Sequence, residues 1–129
     1  MQNNLELLEI KTKIARLWNP PDDKPRKPVI CIHGWKDNCA TWDNLLPHLV
    51  KAVPQYEYLA IDLPGHGHSS HFPPGMIYAV QDIWVLIQRL INHYGWSKIS
   101  LMGHSMGAQL SFMFAGTHPL LVEKLVREL

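Results

Sequence analysis

The sequence has few cysteines and almost no net charge, and it lacks any long hydrophobic run. Cys31 and Cys39, its two cysteines, are too few for a disulfide framework and indicate a reducing compartment. The formal net charge of +1 provides no electrostatic basis for binding nucleic acid or an anionic membrane. No apolar stretch approaches the ~18 residues that span a bilayer, and the first residues lack the pattern of a secretory signal. We therefore expect a cytoplasmic protein with no transmembrane segment and no nucleic-acid partner.

Histidine is abundant, but its distribution does not predict a metal site. The eight histidines are dispersed, and His66, His68 and His71 form the one cluster among them. No cysteine or carboxylate accompanies this cluster at the spacing of a metal-binding motif. We interpret the cluster as part of a solvated loop, and we expect no bound metal.

After residue 28 the sequence alternates between strand patterns and helix patterns. The predicted strands are 29–32, 56–61, 99–102 and 122–126, and the predicted helices are 42–49, 79–94 and about 106–116. We expect Thr41 to cap the first helix and Pro47 to kink it. Gly95 follows the second helix at the usual C-cap position. The alternation predicts an α/β fold with a mostly parallel sheet that helices cover on both sides.

The first 28 residues differ in pattern from the rest of the chain. Short alternating segments within 5–18 indicate a hairpin, although their period alone also permits a helix. Residues 19–28 contain four prolines among charged and amide side chains, which predicts a surface loop. A hairpin should therefore precede the sheet.

The pentad Gly103-His104-Ser105-Met106-Gly107 follows the third predicted strand and opens the third predicted helix. A G-x-S-x-G in this context is typical of the sharp turn that presents a serine hydroxyl as a nucleophile. The serine there adopts a positive φ, and the glycines avoid collisions with the adjoining strand and helix. Chance produces the bare motif in ~4% of chains of this length, so its context is the stronger evidence. The alternative is a glycine-rich turn without chemistry.

His33-Gly34-Trp35 follows the first core strand and predicts an oxyanion hole. Such a hole has two backbone donors, one directly after the nucleophile and one in a loop after an earlier strand. The N–H groups of Met106 and Trp35 are the candidates, and each should stabilise the transition state by ~3 kcal/mol. We interpret His33 as a residue that orients this loop by hydrogen bonding rather than as a catalytic base.

A third motif, residues 62–70, follows the second core strand. Gly65 and Gly67 permit a tight reversal of the chain, and Asp62 can hold that reversal by accepting backbone N–H bonds. We therefore expect Asp62 and Gly65 to support the site rather than to react.

Together the three motifs resemble the N-terminal half of an α/β-hydrolase, and within that superfamily the serine hydrolase-like family. The resemblance extends from about residue 5 to Val126. It implies an eight-stranded sheet in a full-length member and Ser105 as the acyl-accepting nucleophile. It also implies hydrolysis of an ester or similar small acyl substrate without a metal or organic cofactor.

The resemblance further implies an acid and a final histidine after the nucleophile in the chain. His118 is the only histidine that follows Ser105, and 13 residues, mostly of one helix, place it roughly 20 Å away. We therefore expect residues 1–129 to form the N-terminal portion of a single hydrolase domain, without the C-terminal strands, cap, acid and histidine. Such a chain should be inactive or nearly so.

Two further expectations concern partners and location. A chain of this kind could instead be a non-catalytic isoform that binds a ligand or partner, and its exposed sheet edge predicts self-association. The family resemblance also permits a peroxisomal location, but the terminal Arg-Glu-Leu is a poor match to the peroxisomal signal.

Overall fold

The computed structural model of the chain describes the backbone of residues 4–7, 10–13 and 16–128, with side chains from residue 16 onward. Its strands are β1 (Asn4–Leu7), β2 (Ile10–Lys13), β3 (Arg16–Trp18), β4 (Lys27–Ile32), β5 (Tyr56–Ile61), β6 (Ile99–His104) and β7 (Val122–Glu128). Its helices are a 3₁₀ helix (Cys39–Trp42), α1 (Leu46–Ala52), α2 (Val80–Tyr94) and α3 (Met106–Thr117). Strand and helix alternate from β4 to β7, which confirms the predicted α/β class.

The central sheet has five strands in the order β3-β5-β4-β6-β7. Strands β4, β5, β6 and β7 run parallel, and β3 pairs antiparallel with β5. Strands β1 and β2 form a separate antiparallel pair, so the predicted hairpin is also confirmed. In register, Cys31 at the centre pairs with Ala60 on one side and Met102 on the other.

The order of the strands determines where a site can form. The chain moves outward from β4 to β5 and then crosses back to β6 on the other side of β4. At such a switch point the loops after neighbouring strands diverge and leave a crevice at the carboxyl ends of the strands. The loops that follow β4 and β6 therefore meet at this end of the sheet.

Both faces of the sheet are covered because alternate residues of each strand point in opposite directions. Ile30 and Ile32 pack with α2 and α3 in one buried cluster. Val29 and Cys31 pack with the 3₁₀ helix and α1 in a second cluster. The buried apolar side chains of α2 are Ile83, Leu86, Ile87, Leu90 and Ile91, which follow the helical period that predicted this helix.

The prediction of a helix over residues 42–49 was wrong. The structure instead has the 3₁₀ helix, which ends at Trp42, and then the separate helix α1, which begins at Leu46. Asn38 caps the 3₁₀ helix, because its side chain accepts a hydrogen bond from the Ala40 N–H. Pro47 does not kink a helix, because it lies in the first turn of α1. Proline is tolerated there, since the N–H that it lacks would have no intrahelical partner.

Other predicted boundaries agree closely with the structure. Strand β5 has the predicted bounds, and α2 ends at Tyr94 with Gly95 as its C-cap, whose φ is 67°. Strands β6 and β7 each extend two residues further than predicted, to His104 and Glu128. Among the helices of residues 16–128, none has the length and hydropathy to span a bilayer.

Candidate active site

Ser105 occupies the turn between β6 and α3 with an unusual backbone conformation. Its φ is 53° and its ψ is −118°, in a region that residues other than glycine rarely adopt. The residue is exposed, and its side chain makes no capping hydrogen bond to α3. Its N–H donates to the carbonyl oxygen of Glu128 at 2.8 Å, which fixes the turn against the end of β7. The strained turn therefore leaves the hydroxyl free of the helix that follows it.

Gly103 and Gly107 permit this turn because their neighbours leave no room for a side chain. A Cβ at Gly103 would lie 2.3 Å from the carbonyl oxygen of Gly107. A Cβ at Gly107 would lie 2.1 Å from the carbonyl oxygen of Ile32 and 2.6 Å from that of His33. The first turn of α3 thus packs directly against the end of β4.

The loop after β4 lies beside the serine. A Cβ at Gly34 would come within 3.3 Å of the Ser105 Cβ, so the backbone here adjoins the turn. Trp35 follows and is 70% exposed, and Lys36 has a positive φ of 56°. The N–H of Met106 belongs to the first turn of α3, where N–H groups have no intrahelical partner. Trp35 and Met106 therefore flank Ser105, and their role as oxyanion donors stays a prediction.

His33 is buried and both of its ring nitrogens are engaged. Nε2 accepts a hydrogen bond from the Leu63 N–H at 3.0 Å, so Nδ1 bears the proton and donates to the Gly34 carbonyl oxygen at 2.7 Å. Burial lowers the pKa of His33 below its ordinary value of 6.5. The neutral imidazole thus joins the loops after β4 and β5.

Asp62 organises the loop that follows β5. Its Oδ1 accepts from the Cys39 N–H at 2.7 Å and its Oδ2 accepts from the His68 N–H at 2.9 Å. Gly67 has a φ of 52°, and a Cβ there would lie 2.3 Å from Asp62 Oδ2. Gly65 has a φ of 77° and lies directly against Tyr78, whose hydroxyl oxygen would be 2.7 Å from a Cβ. Asp62 is therefore committed to backbone hydrogen bonds, as the sequence predicted.

A cleft of about 590 Å³ opens beside the turn at Ser105. Its lining residues are Trp35, Lys36, Leu63, Pro64, Gly65, His66, His71, Tyr78, Ala79, Val80, Ile83, Met106, Gln109, Leu110 and Met113. Most of them are apolar, and the volume lies in the range of small-molecule sites. Sequence reasoning missed Tyr78 and Met113, because no motif marks them and only the fold brings them to the cleft.

Neither the predicted site residue His104 nor His118 lines the cleft. His118 stacks on Phe114 with a centroid distance of 4.3 Å, and its Nδ1 lies 2.8 Å from Thr117 Oγ1, past the C-terminal end of α3. His104 lies at the end of β6, and its buried Nδ1 has no hydrogen-bond partner among the described residues. Within those residues, no three histidine, cysteine or carboxylate side chains are grouped as a metal ion requires.

Comparison with known proteins gives consistent matches. A family model of the alpha/beta hydrolase fold matches residues 27–127. The "Probable serine hydrolase" of Drosophila melanogaster is 46% identical over 113 residues, which cover 87% of this chain and 32% of that protein. "Epoxide hydrolase B" of Mycobacterium tuberculosis is 28% identical over 108 residues, 84% of this chain and 30% of that protein.

Solved structures also match nearly the whole chain. The crystal structure of a hypothetical protein from Pseudomonas aeruginosa PAO1 superposes with a TM-score of 0.83 at 37% identity. The match covers 97% of this chain and 42% of that protein. The chain thus spans about a third of the length of the curated relatives above.

Replacement of Gly107 by alanine should destabilise the protein by at least about 3 kcal/mol, because the new Cβ collides with backbone oxygens of β4. Gly116→Ala is the matched control, since a Cβ at Gly116, also in α3, meets nothing within 4 Å. That control should stabilise the helix by about 0.5–1 kcal/mol. Urea denaturation measures both effects, and equal stability of the two variants would contradict the close packing.

Acid should weaken the fold through His33. Because folding lowers the pKa of His33, the unfolded chain binds more protons than the folded chain in acid. The contribution of His33 to the free energy of unfolding is therefore complete above pH 6.5 and decreases as the pH falls below it. The slope from one such group is at most about 1.4 kcal/mol per pH unit.

Urea denaturation at pH 7.5 and pH 5.5 should show a smaller loss of stability in His33→Gln than in the parent chain. His48→Gln, which alters an exposed histidine on α1, is the control for removing a histidine. An unchanged pH dependence in His33→Gln would show that His33 does not titrate on unfolding.

Proposed function

Because this chain belongs to the alpha/beta hydrolase fold family, we propose that it is a serine hydrolase that acts on an ester or similar acyl substrate through Ser105. The observation that best supports this proposal is the positive φ of Ser105, 53°, on an exposed turn between a parallel strand and a helix. The close packing at Gly103 and Gly107 also supports it, because neither position has room for a side chain beside that turn. A strained backbone of this kind is characteristic of functional positions.

In the proposed reaction, Ser105 Oγ attacks the acyl carbon and the negative charge develops on the carbonyl oxygen. The N–H groups of Met106 and Trp35 would donate hydrogen bonds to that oxygen, each worth ~3 kcal/mol in the transition state. The N-terminal end of α3 adds its positive dipole at the same point. A general base outside the described residues would take the hydroxyl proton and pass it to the departing group. The same base would then deprotonate a water, which releases the acyl group from the serine as a carboxylic acid.

A serine nucleophile favours acyl substrates over epoxides. Attack of a hydroxyl on an epoxide would form an ether on Ser105, which water does not cleave under mild conditions. Attack on an ester or thioester forms an acyl-serine, which water hydrolyses. Similarity to an epoxide hydrolase therefore extends to the fold and not to the proposed substrate.

Neither His33 nor His118 is available as the general base. His33 has both nitrogens engaged in backbone hydrogen bonds, and His118 lies past the far end of α3. We propose that residues 1–129 are the N-terminal portion of one hydrolase domain, whose base and acid this sequence does not include. Loss of the base from a serine triad lowers turnover by about 10⁶, so the chain on its own should be at most a trace esterase.

A second candidate function is that of a binding module without catalysis. Of the described strands, β7 ends the sheet, and Val126 on it is 60% exposed. An unpaired edge strand of this kind can pair with a strand of a second chain. Labelling of Ser105 with a fluorophosphonate, described next, separates the two candidate functions, since a binding module requires no reactivity at Ser105.

A small fluorophosphonate, ethyl methylfluorophosphonate, should modify Ser105 slowly and selectively, as measured by intact mass and peptide mapping. The rate should rise steadily with pH and show no plateau near neutrality, because hydroxide must replace the absent histidine base. Ser105→Ala should abolish the adduct. Ser97→Ala, which alters an exposed serine at the opposite end of β6, should not.

Two results would contradict the proposal in different ways. An adduct distributed over other serines, with Ser105 unmodified, would exclude Ser105 as the nucleophile. Rapid stoichiometric labelling with a plateau near pH 7 would show that a base is present, and would overturn the expectation of trace activity.

A further inference from the structure

The walls of the cleft are suited to a hydrocarbon chain. Its apolar lining includes Val80 and Ile83 of α2, Leu110 and Met113 of α3, and Leu63. Burial of one methylene against such walls contributes about 0.8 kcal/mol. A straight apolar chain would gain affinity with each carbon that enters.

Tyr78 holds one wall of the cleft in place. Its ring stacks on Phe72 with a centroid distance of 4.4 Å and an interplanar angle of 8°. Its hydroxyl oxygen accepts a hydrogen bond from the Phe72 N–H at 2.9 Å. The ring also contacts Gly65, so it is fixed from two sides. A preformed wall lowers the entropic cost of binding.

The charged residues at the cleft have one sign. Of the described residues that line it, none bears a carboxylate, whereas Lys36 bears a positive charge. The Lys36 Nζ lies 4.9 Å from the centroid of the exposed Trp35 ring. Within residues 16–128, Lys36 takes part in none of the three salt bridges. Asp82, the acidic residue in the first turn of α2, accepts a hydrogen bond from the Ala79 N–H and does not line the cleft.

We propose that the cleft binds anionic amphiphiles, with a straight apolar chain between α2 and α3 and the anionic group at Lys36. The proposal deepens the proposed function and rests on it, since it names the substrate class as acyl compounds that bear such a chain and a negative group. Lys36 is then a specificity residue that contacts the substrate, since it lines the cleft and bears the positive charge there.

The first test compares ligands of matched length and opposite charge, by isothermal titration calorimetry of the whole chain below the micelle concentration. Hexanoate, octanoate and decanoate should bind with affinities that rise about twofold to fourfold per methylene. The corresponding alkyltrimethylammonium ions should bind at least about fivefold more weakly than the carboxylates. Equal affinity for the two series would overturn the assignment of charge, and it would do so without any variant.

Two pairs of variants locate the binding. Lys36→Gln should weaken decanoate binding by about fivefold and leave the binding of decyltrimethylammonium unaffected or slightly tighter. Lys51→Gln, which alters an exposed lysine on α1, should change the binding of neither ligand.

Met113→Trp should narrow the cleft and remove the gain in affinity between hexanoate and decanoate. Phe112→Trp is its control, because Phe112 is the adjacent exposed residue of α3 and does not line the cleft. Decanoate affinity unchanged in both Lys36→Gln and Met113→Trp would overturn the proposal.

The outcomes distinguish this inference from the function beneath it. If the small fluorophosphonate modifies Ser105 but the carboxylates do not bind, the inference fails and the serine hydrolase stands. If the carboxylates bind as expected but Ser105 does not react, the proposed hydrolysis fails, and with it the identification of the ligand as a substrate.

Discussion

The close approach of α3 to the end of β4 is the contact on which the site depends. With Gly107 at the interface, the first turn of the helix lies against the carbonyl oxygens of Ile32 and His33. Any larger residue would push the helix outward and separate Ser105 from the loop at Gly34. The absence of a side chain at position 107 therefore determines whether Ser105 and the backbone amides of the loop after β4 lie side by side.

Buried polar groups hold the loops around this contact, and the hydrogen bonds that they make there occupy the atoms with which they could react. His33 joins two loops through both ring nitrogens, and Asp62 accepts two backbone N–H bonds. Burial, together with the neighbouring Asp62, raises the pKa of the Cys39 thiol to about 12, so this cysteine stays protonated at neutral pH. The side chain of Ser105, by contrast, does not cap the helix that follows it.

Local signals in the sequence were sufficient for most of the strands and helices and for the turn at Ser105. Strand β5 and helix α2 were predicted closely, since an apolar run and a helical period are properties of neighbouring residues. The prediction of a helix over 42–49 was wrong because a proline can stand in the first turn of a helix, as Pro47 does in α1, as well as interrupt one. The contact of Gly107 with Ile32 and the position of Tyr78 in the cleft join distant parts of the chain, so no local pattern could predict them.

A crystal structure of the chain with a phosphonyl group on Ser105 Oγ would show whether Met106 and Trp35 form an oxyanion hole. Because the phosphonyl oxygen takes the place of the developing oxyanion, we predict that it lies within about 3.1 Å of the backbone nitrogens of both residues. An oxygen that faces solvent, or a Trp35 N–H directed away from it, would contradict the account.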